Sequence, residues 1–291
     1  MSLCYLNGTF LPIEEARISP LDRGFLFGDG AYELIPVYSR RAFRQDEHLR
    51  RMQQTLDGIR LPNPLTMEAW RDAIERLITD APFEDQSSYL QVTRGADTKR
   101  DHAFPLRVEP TVFMFSAPLV NPSPAQRAKG VACITTLDNR WLRCDLKVLA
   151  LLPNVLLRQQ AVDEGCAEAI LLRDGYLTEG AASNIFICKN GTLLAPPKGH
   201  LMLPGITYDV VLELANTRGM PLEVREISER ELRSADEIWV TSSTREVMPC
   251  TTLDGRPVGP GRFAGQPGPM AEKMYGWYCD FRDNVMRNSD G

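Results

Sequence analysis

The stretch AILLRDGYLTEGAASNIFICKNGTLL, residues 169–194, decides the fold class. Apolar runs at 169–172 and 176–177 flank Asp174-Gly175, and runs at 185–188 and 192–194 flank Asn190-Gly191. Asp-Gly and Asn-Gly tolerate the positive φ angles of a two-residue turn, so the stretch predicts two β-hairpins in series. The same signal opens the chain, where Asn7-Gly8 separates 4–6 from 9–11. Further strands are predicted at 31–38, 89–93, 111–116, 131–136 and 237–241, with Pro36 expected to interrupt the first. Helical spacing is scattered among them. Leu49, Met52, Leu56 and Ile59 form an apolar stripe, with Arg51 off it, and Met67, Trp70, Ile74, Leu77 and Ile78 form another over 66–78. Helices are also predicted at 154–164, ended by Gly165, and at 207–218, capped by Gly219 and followed by Pro221. Hairpins and helices do not alternate as β-α-β-α, which predicts an α+β fold rather than a doubly wound sheet.

At 291 residues the chain exceeds one ordinary core. Pro118, Pro122 and Pro124 stand within seven residues, a density that neither a helix nor a central strand accepts. The predicted division is therefore an N-terminal domain over 1–118, a linker over 119–126 and a C-terminal domain over 127–291, which would carry Lys147. Hydrophobic residues at 43% and charged residues at 24% suit a folded globule. A net charge of −5, with only short pairs such as Arg40-Arg41 and Arg50-Arg51, argues against a nucleic-acid partner. The start lacks the basic and apolar pattern of a signal peptide, and no apolar run would span a bilayer, so a soluble cytoplasmic protein without a membrane partner is expected. Seven cysteines stand singly without a CxxC pair, which argues against a zinc ribbon or disulfide scaffold, and no metal site is expected.

Lysine is scarce, with six against 27 arginines. Lys147 alone sits in an apolar run, Leu146-Lys147-Val148-Leu149-Ala150-Leu151-Leu152. An apolar site disfavours an ammonium and makes the amine a nucleophile; a snorkelling side chain or a pair with Asp145 is the plainer reading. Leu203-Pro204-Gly205-Ile206-Thr207 precedes a helix, where free N–H groups suit an anion, although Thr207 could be a simple cap. Thr241-Ser242-Ser243-Thr244 offers four hydroxyls after a strand. Glu179, in Thr178-Glu179-Gly180-Ala181-Ala182-Ser183-Asn184, follows a hairpin strand, where a solvated loop acid would be ordinary.

Together these segments, with Tyr5-Leu6-Asn7-Gly8, Asp22-Arg23-Gly24-Phe25-Leu26-Phe27-Gly28-Asp29-Gly30-Ala31-Tyr32-Glu33 and Glu47-His48-Leu49-Arg50-Arg51-Met52, resemble the fold-type IV pyridoxal-phosphate enzymes, the class IV aminotransferases. The resemblance runs in order along nearly the whole chain. It implies two domains with the active site between them, a homodimer, and pyridoxal 5'-phosphate carried by Lys147 as a Schiff base. It implies that Lys147 is the catalytic acid/base and that Glu179 faces the pyridine nitrogen. Arg51, the N–H groups after Gly205 at Ile206 and Thr207, and the hydroxyls of Thr207, Ser242 and Ser243 would hold the phosphate, with Leu203 against the ring. Within the family, Arg100-Asp101-His102 resembles the carboxylate trap of D-amino-acid aminotransferases. There Tyr32, Arg100 and His102 would bind the substrate α-carboxylate, the last two donated by a second subunit. The implied reaction is ping-pong transamination between a D-amino acid, such as D-alanine, and a 2-oxo acid, such as 2-oxoglutarate. Branched-chain or (R)-amine transamination and 4-amino-4-deoxychorismate lyase activity remain alternatives on the same scaffold. The branched-chain enzymes usually carry Tyr where this chain has Leu152.

Overall fold

The structure, a computed structural model, describes residues 3–107, 109–261 and 264–287. It divides into two compact units: the described residues through Val120 with Leu146–Leu151, and Asn121–Asp145 with those from Leu152 onward. Lys147 thus lies in the first unit and not with the second half of the chain. The reason is backbone pairing: the N–H of Tyr32 donates to the carbonyl of Lys147 (3.0 Å), that of Leu149 donates to Gly30 (3.0 Å), and Val148 bridges Ala31.

The first unit begins with the hairpin β1 (Leu3–Leu6) and β2 (Thr9–Pro12), turned at Asn7 and Gly8, both with positive φ. It continues with α1 (Arg23–Phe27), β3 (Gly30–Tyr38), β4 (Arg41–Ala42), α2 (Gln45–Gly58), α3 (Met67–Asp80), β5 (Gln86–Thr93) and β6 (Thr111–Pro118). Among the described residues the strands form one antiparallel sheet in the order β2-β1-β6-β5-β3-β4. The predicted stripes of α2 and α3 pack on one face, burying Leu49, Met52, Leu56, Trp70, Ile74 and Leu77 against Ile35, Leu90, Val92 and Met114. Thr66 caps α3 by accepting from the N–H of Ala69 (3.2 Å), a contact worth about 1 kcal/mol.

Pro36 does not interrupt β3. Its carbonyl accepts from the N–H of Phe43 (2.8 Å), beyond the short edge strand β4. The N and the C=O of a strand residue point to the same side, so the missing N–H faces that edge and costs no bond to β5. Pro124 corrects a second expectation. It opens α4 (Pro124–Lys129) at the first helical position, where its lost N–H had no partner to lose, behind a capping box of Ser123 and Gln126.

The second unit continues with β7 (Val131–Leu137), α5 (Leu152–Asp163), β8 (Glu168–Arg173), β9 (Tyr176–Gly180), β10 (Asn184–Lys189), β11 (Thr192–Ala195), α6 (Ile206–Thr217), β12 (Leu222–Val224), α7 (Glu229–Arg233), β13 (Glu237–Ser242), β14 (Glu246–Leu253), β15 (Arg256–Pro257) and α8 (Pro269–Arg282). Its described strands form one mixed sheet in the order β12-β11-β10-β13-β14-β7-β8-β9, with β15 paired to β14. Both predicted hairpins are present, turned at Asp174-Gly175 and Asn190-Gly191 with positive φ. The parallel pair β7–β8 needs a crossover, which α5 supplies while packing Leu157 and Ala161 on Ala169 and Leu171. Strands β10, β13 and β14 are buried on both faces. The fold is α+β, as the hairpin pattern predicts.

Candidate active site

In the first unit, the start of β3, the middle of α2 and the segment 146–149 gather one set of candidate residues. Positions 48, 51 and 55 of α2 carry a second buried stripe, polar and set beside the apolar one. Arg51, off the apolar stripe, is therefore buried rather than solvated. Its Nε and Nη2 donate to the two carboxylate oxygens of Glu33 at 2.7 and 2.8 Å, and Nδ1 of His48 donates to Glu33 Oε2 at 2.8 Å. Glu33 and His48 have no exposed surface. Burial alone would raise the Glu33 carboxyl, but the Arg51 guanidinium outweighs it and holds the group well below the carboxylate range. Burial also depresses His48, against the pull of Glu33. The third residue of the stripe, Thr55, accepts through Oγ1 from the N–H of Lys147 (3.2 Å). Both backbone groups of Lys147 are thus tied down, one to α2 and one to β3. Its side chain is half-buried, with Nζ 4.3 Å from the centroid of the Tyr32 ring. Tyr32 in turn stacks on Tyr89, ring centroids 5.9 Å apart.

The second unit gathers another set. Glu179, near the end of β9, is 4% exposed. Arg140 donates from Nη1 to its Oε1 (2.5 Å), while Asn184 and the N–H of Leu203 donate to Oε2, each at 3.2 Å. Arg140 is itself fixed by a bidentate pair with Asp138, both contacts 2.9 Å, so it backs Glu179 instead of facing solvent. Burial raises the Glu179 carboxyl to about 7, with Arg140 opposing. Asn184 also donates to the carbonyl of Leu203 (2.9 Å). A Cβ at Gly205 would lie 2.0 Å from Asn184 Oδ1, so only glycine lets the 203–207 turn approach Asn184 this closely. Gly205, not Thr207, is the N-cap of α6, and it has no side chain to take the first N–H groups. Those of Ile206 and Thr207 lack intrahelical acceptors. Beside Asn184 in the sheet, β13 ends at Thr241 and Ser242, and a turn through Ser243 leads into β14.

The family model described as Amino-transferase class IV matches residues 30–253. The chain belongs to the class IV aminotransferases. It is 37% identical to the D-alanine aminotransferase of Bacillus licheniformis, over 92% of this chain and 93% of that protein. It is 38% identical to the D-alanine aminotransferase of Staphylococcus epidermidis, over 90% and 93%. A solved branched-chain amino acid aminotransferase from T.th., with pyridoxamine 5'-phosphate, has a TM-score of 0.89 at 26% identity, covering 99% of this chain and 95% of that one.

In this class IV aminotransferase the structure joins Lys147 to Tyr32 and, through α2 and β3, to Arg51. It joins Glu179 through Asn184 to Leu203 and Gly205. It does not bring the Arg-x-His pair to Tyr32. Arg100 and His102 gather instead at Phe27, with Arg100 Cζ 5.0 Å and the His102 ring 5.4 Å from that ring, and both are exposed. Among the described residues no hydrogen bond or ring contact links either to Tyr32. Their loop is fastened from below, because Arg23 donates to the carbonyls of Asp101, His102 and Ala103. Glu33, His48, Thr55, Arg140 and Asn184 hold the candidate residues, and sequence reasoning assigned them no role. The buried stripe at 48, 51 and 55 had a readable signal, its helical spacing beside Leu49, Met52 and Leu56.

Proposed function

We propose that this aminotransferase carries pyridoxal 5'-phosphate on Lys147 and transfers amino groups between a D-amino acid, such as D-alanine, and a 2-oxo acid, such as 2-oxoglutarate. The observation that carries the reading is Lys147 itself, the scarce lysine whose backbone is fixed on both sides while its amine stays half-buried against Tyr32. The residues present fit the group. Two sets of donors suit a phosphate: the Glu33-oriented guanidinium of Arg51, and the open N–H groups of Ile206 and Thr207 with the hydroxyls of Thr207, Ser242 and Ser243. Glu179 is a buried acid held high, which a cationic ring nitrogen beside it would bring down. Leu203 supplies an apolar wall for a ring. Bound there, the cofactor supplies an aldehyde that takes up an amine and a ring that draws electrons from the substrate Cα.

Lys147 Nζ holds the cofactor and then moves the proton at the substrate Cα. Glu179 keeps the ring nitrogen protonated, and Arg140 with Asp138 keeps Glu179 in place. Tyr32 offers its phenol to the α-carboxylate, joined by Arg100 and His102 of a second copy in a homodimer. The exposure of those two residues, on a loop anchored by Arg23, supports this arrangement. A cytoplasmic location is supported by seven free thiols. No helix among the described residues is long and apolar enough to cross a membrane.

The test is an absorbance spectrum of the purified protein. The visible band of the cofactor is expected to give way to a near-ultraviolet band on adding D-alanine and to stay unchanged with L-leucine. A response to L-leucine alone would keep the class and overturn the D-substrate reading; a protein that takes up no cofactor would overturn both. Glu179→Gln is expected to lower kcat by about 10²–10³-fold, because an amide cannot hold the charge on the ring nitrogen. Steady-state kinetics with D-alanine check it, and a change under tenfold would remove Glu179 from that role.

A further inference from the structure

Behind the β13–β14 turn lies a buried ionic lock with no part in the reading above. Ser242 closes β13 opposite Glu246, which opens β14, and the N–H of Arg245 donates to Ser242 Oγ (3.2 Å). Glu246 is fully buried and sits at φ 55, the left-handed conformation that follows a short hairpin loop and that few residues with a long side chain adopt. Two arginines from two helices hold it there. Arg127 of α4 donates from Nη1 to the carbonyls of Arg245 (3.1 Å) and Val247 (2.8 Å), and from Nη2 to Glu246 Oε2 (2.6 Å). Arg282 of α8 donates from Nη1 to Glu246 Oε1 (2.7 Å). Tyr275 lies 4.1 Å under the Arg127 guanidinium. The Arg245 side chain reaches the other way, to the carbonyl of Ala167 (2.8 Å) and Glu168 Oε2 (3.2 Å). The turn is therefore gripped by carbonyl and carboxylate on its inner side.

We propose that Arg127 and Glu246, backed by Arg282, are positioning residues for the cofactor phosphate: they hold the 242–246 turn in the one conformation that presents Ser242 and Ser243 to it. The inference rests on the reading that these serines meet the phosphate. Fixing the carbonyl of Arg245 orients the 245–246 peptide and that of Val247 the 247–248 peptide, and the N–H of Arg245 on Ser242 Oγ carries the constraint to the serine end of the turn. Loosening the lock leaves the lysine and the ring-nitrogen partner in place and frees only the phosphate end.

The experiment uses the full-length chain with its cofactor removed, titrated with pyridoxal 5'-phosphate and in parallel with pyridoxal, which lacks the phosphate. Glu246→Gln and the milder Arg127→Lys are each expected to raise Kd for pyridoxal 5'-phosphate about tenfold and that for pyridoxal less than about twofold. The Ser242→Ala, Ser243→Ala double variant serves as the reference for the phosphate reading. Selective loss in the serine variant but not in the lock variants overturns the proposal alone. No selective loss in the serine variant overturns the reading beneath it. Equal loss of both ligands in the lock variants shows a merely structural role, which also overturns the proposal.

Discussion

Lys147→Ala is expected to abolish transamination, by about 10³-fold or more, and to leave the fold in place. The two halves of that statement rest on different atoms. Activity depends on Nζ, which alanine lacks and which no other lysine replaces, since 99, 129, 189, 198 and 273 stand beside turns and polar residues. The fold depends on the backbone of residue 147, whose N–H donates to Thr55 and whose carbonyl accepts from Tyr32 whatever the side chain is. The side chain contributes chiefly its approach to the Tyr32 ring, worth about 0.5–2 kcal/mol at a half-buried site. Thermal unfolding of the cofactor-free protein should therefore change little. Kinetics with D-alanine and the spectral response should be lost together, and small primary amines added to the variant should restore part of the rate by supplying the missing base. A variant that keeps the rate would separate Lys147 from the role given to it, and one that fails to fold would overturn the claim that only the backbone of residue 147 holds the fold.

The hairpins were legible because their turns are chemically narrow. Asn7-Gly8, Asp174-Gly175 and Asn190-Gly191 each place two positive φ angles where side chains allow them. Helices α2 and α3 were legible because one face of each is apolar at helical spacing. Strand β14 was not, since it is buried along nearly its whole length and contains Pro249, so it shows no alternation to read. Helix α8 hid for a related reason: its buried residues Ala271, Met274 and Tyr278 are interleaved with Met270, Trp277 and other bulky neighbours that blur the stripe.

The site divides in the same way. The candidate Lys147 stands out by composition, and the candidate Glu179 by its place in the ordered segments. Their supports do not, because each reaches across sequence. Arg140 meets Glu179 over 39 residues, while its other partner, Asp138, is only two residues away. Glu33 meets Arg51 over 18 residues, and only the packing of α2 on β3 shows it. Pattern names the candidate reacting groups, while the side chains that hold them are found only once the elements are packed.

The Glu33 contact gives the largest expected effect on stability. Glu33→Gln is expected to cost about 3–5 kcal/mol, because it removes the carboxylate charge that the buried Arg51 guanidinium grips through two bonds and turns an amide N–H toward the N–H groups of Arg51 or His48. Melting of the cofactor-free protein should fall by roughly 10 °C at neutral pH. The pH dependence follows from the direction of the Glu33 shift. Its carboxyl is held below the ordinary range in the folded chain, so its contribution is complete above the unfolded value of about 4.3 and declines as pH falls below it, by about 1.4 kcal/mol per unit. The gap between wild type and Glu33→Gln should therefore be widest at neutral pH and narrow steadily below about pH 4. A gap that stays constant with pH would mean that the carboxylate charge is not what stabilises the pair. Because Arg51 takes its orientation from Glu33 through two bonds, the proposal that Arg51 meets the phosphate requires the same variant to bind pyridoxal 5'-phosphate more weakly at neutral pH.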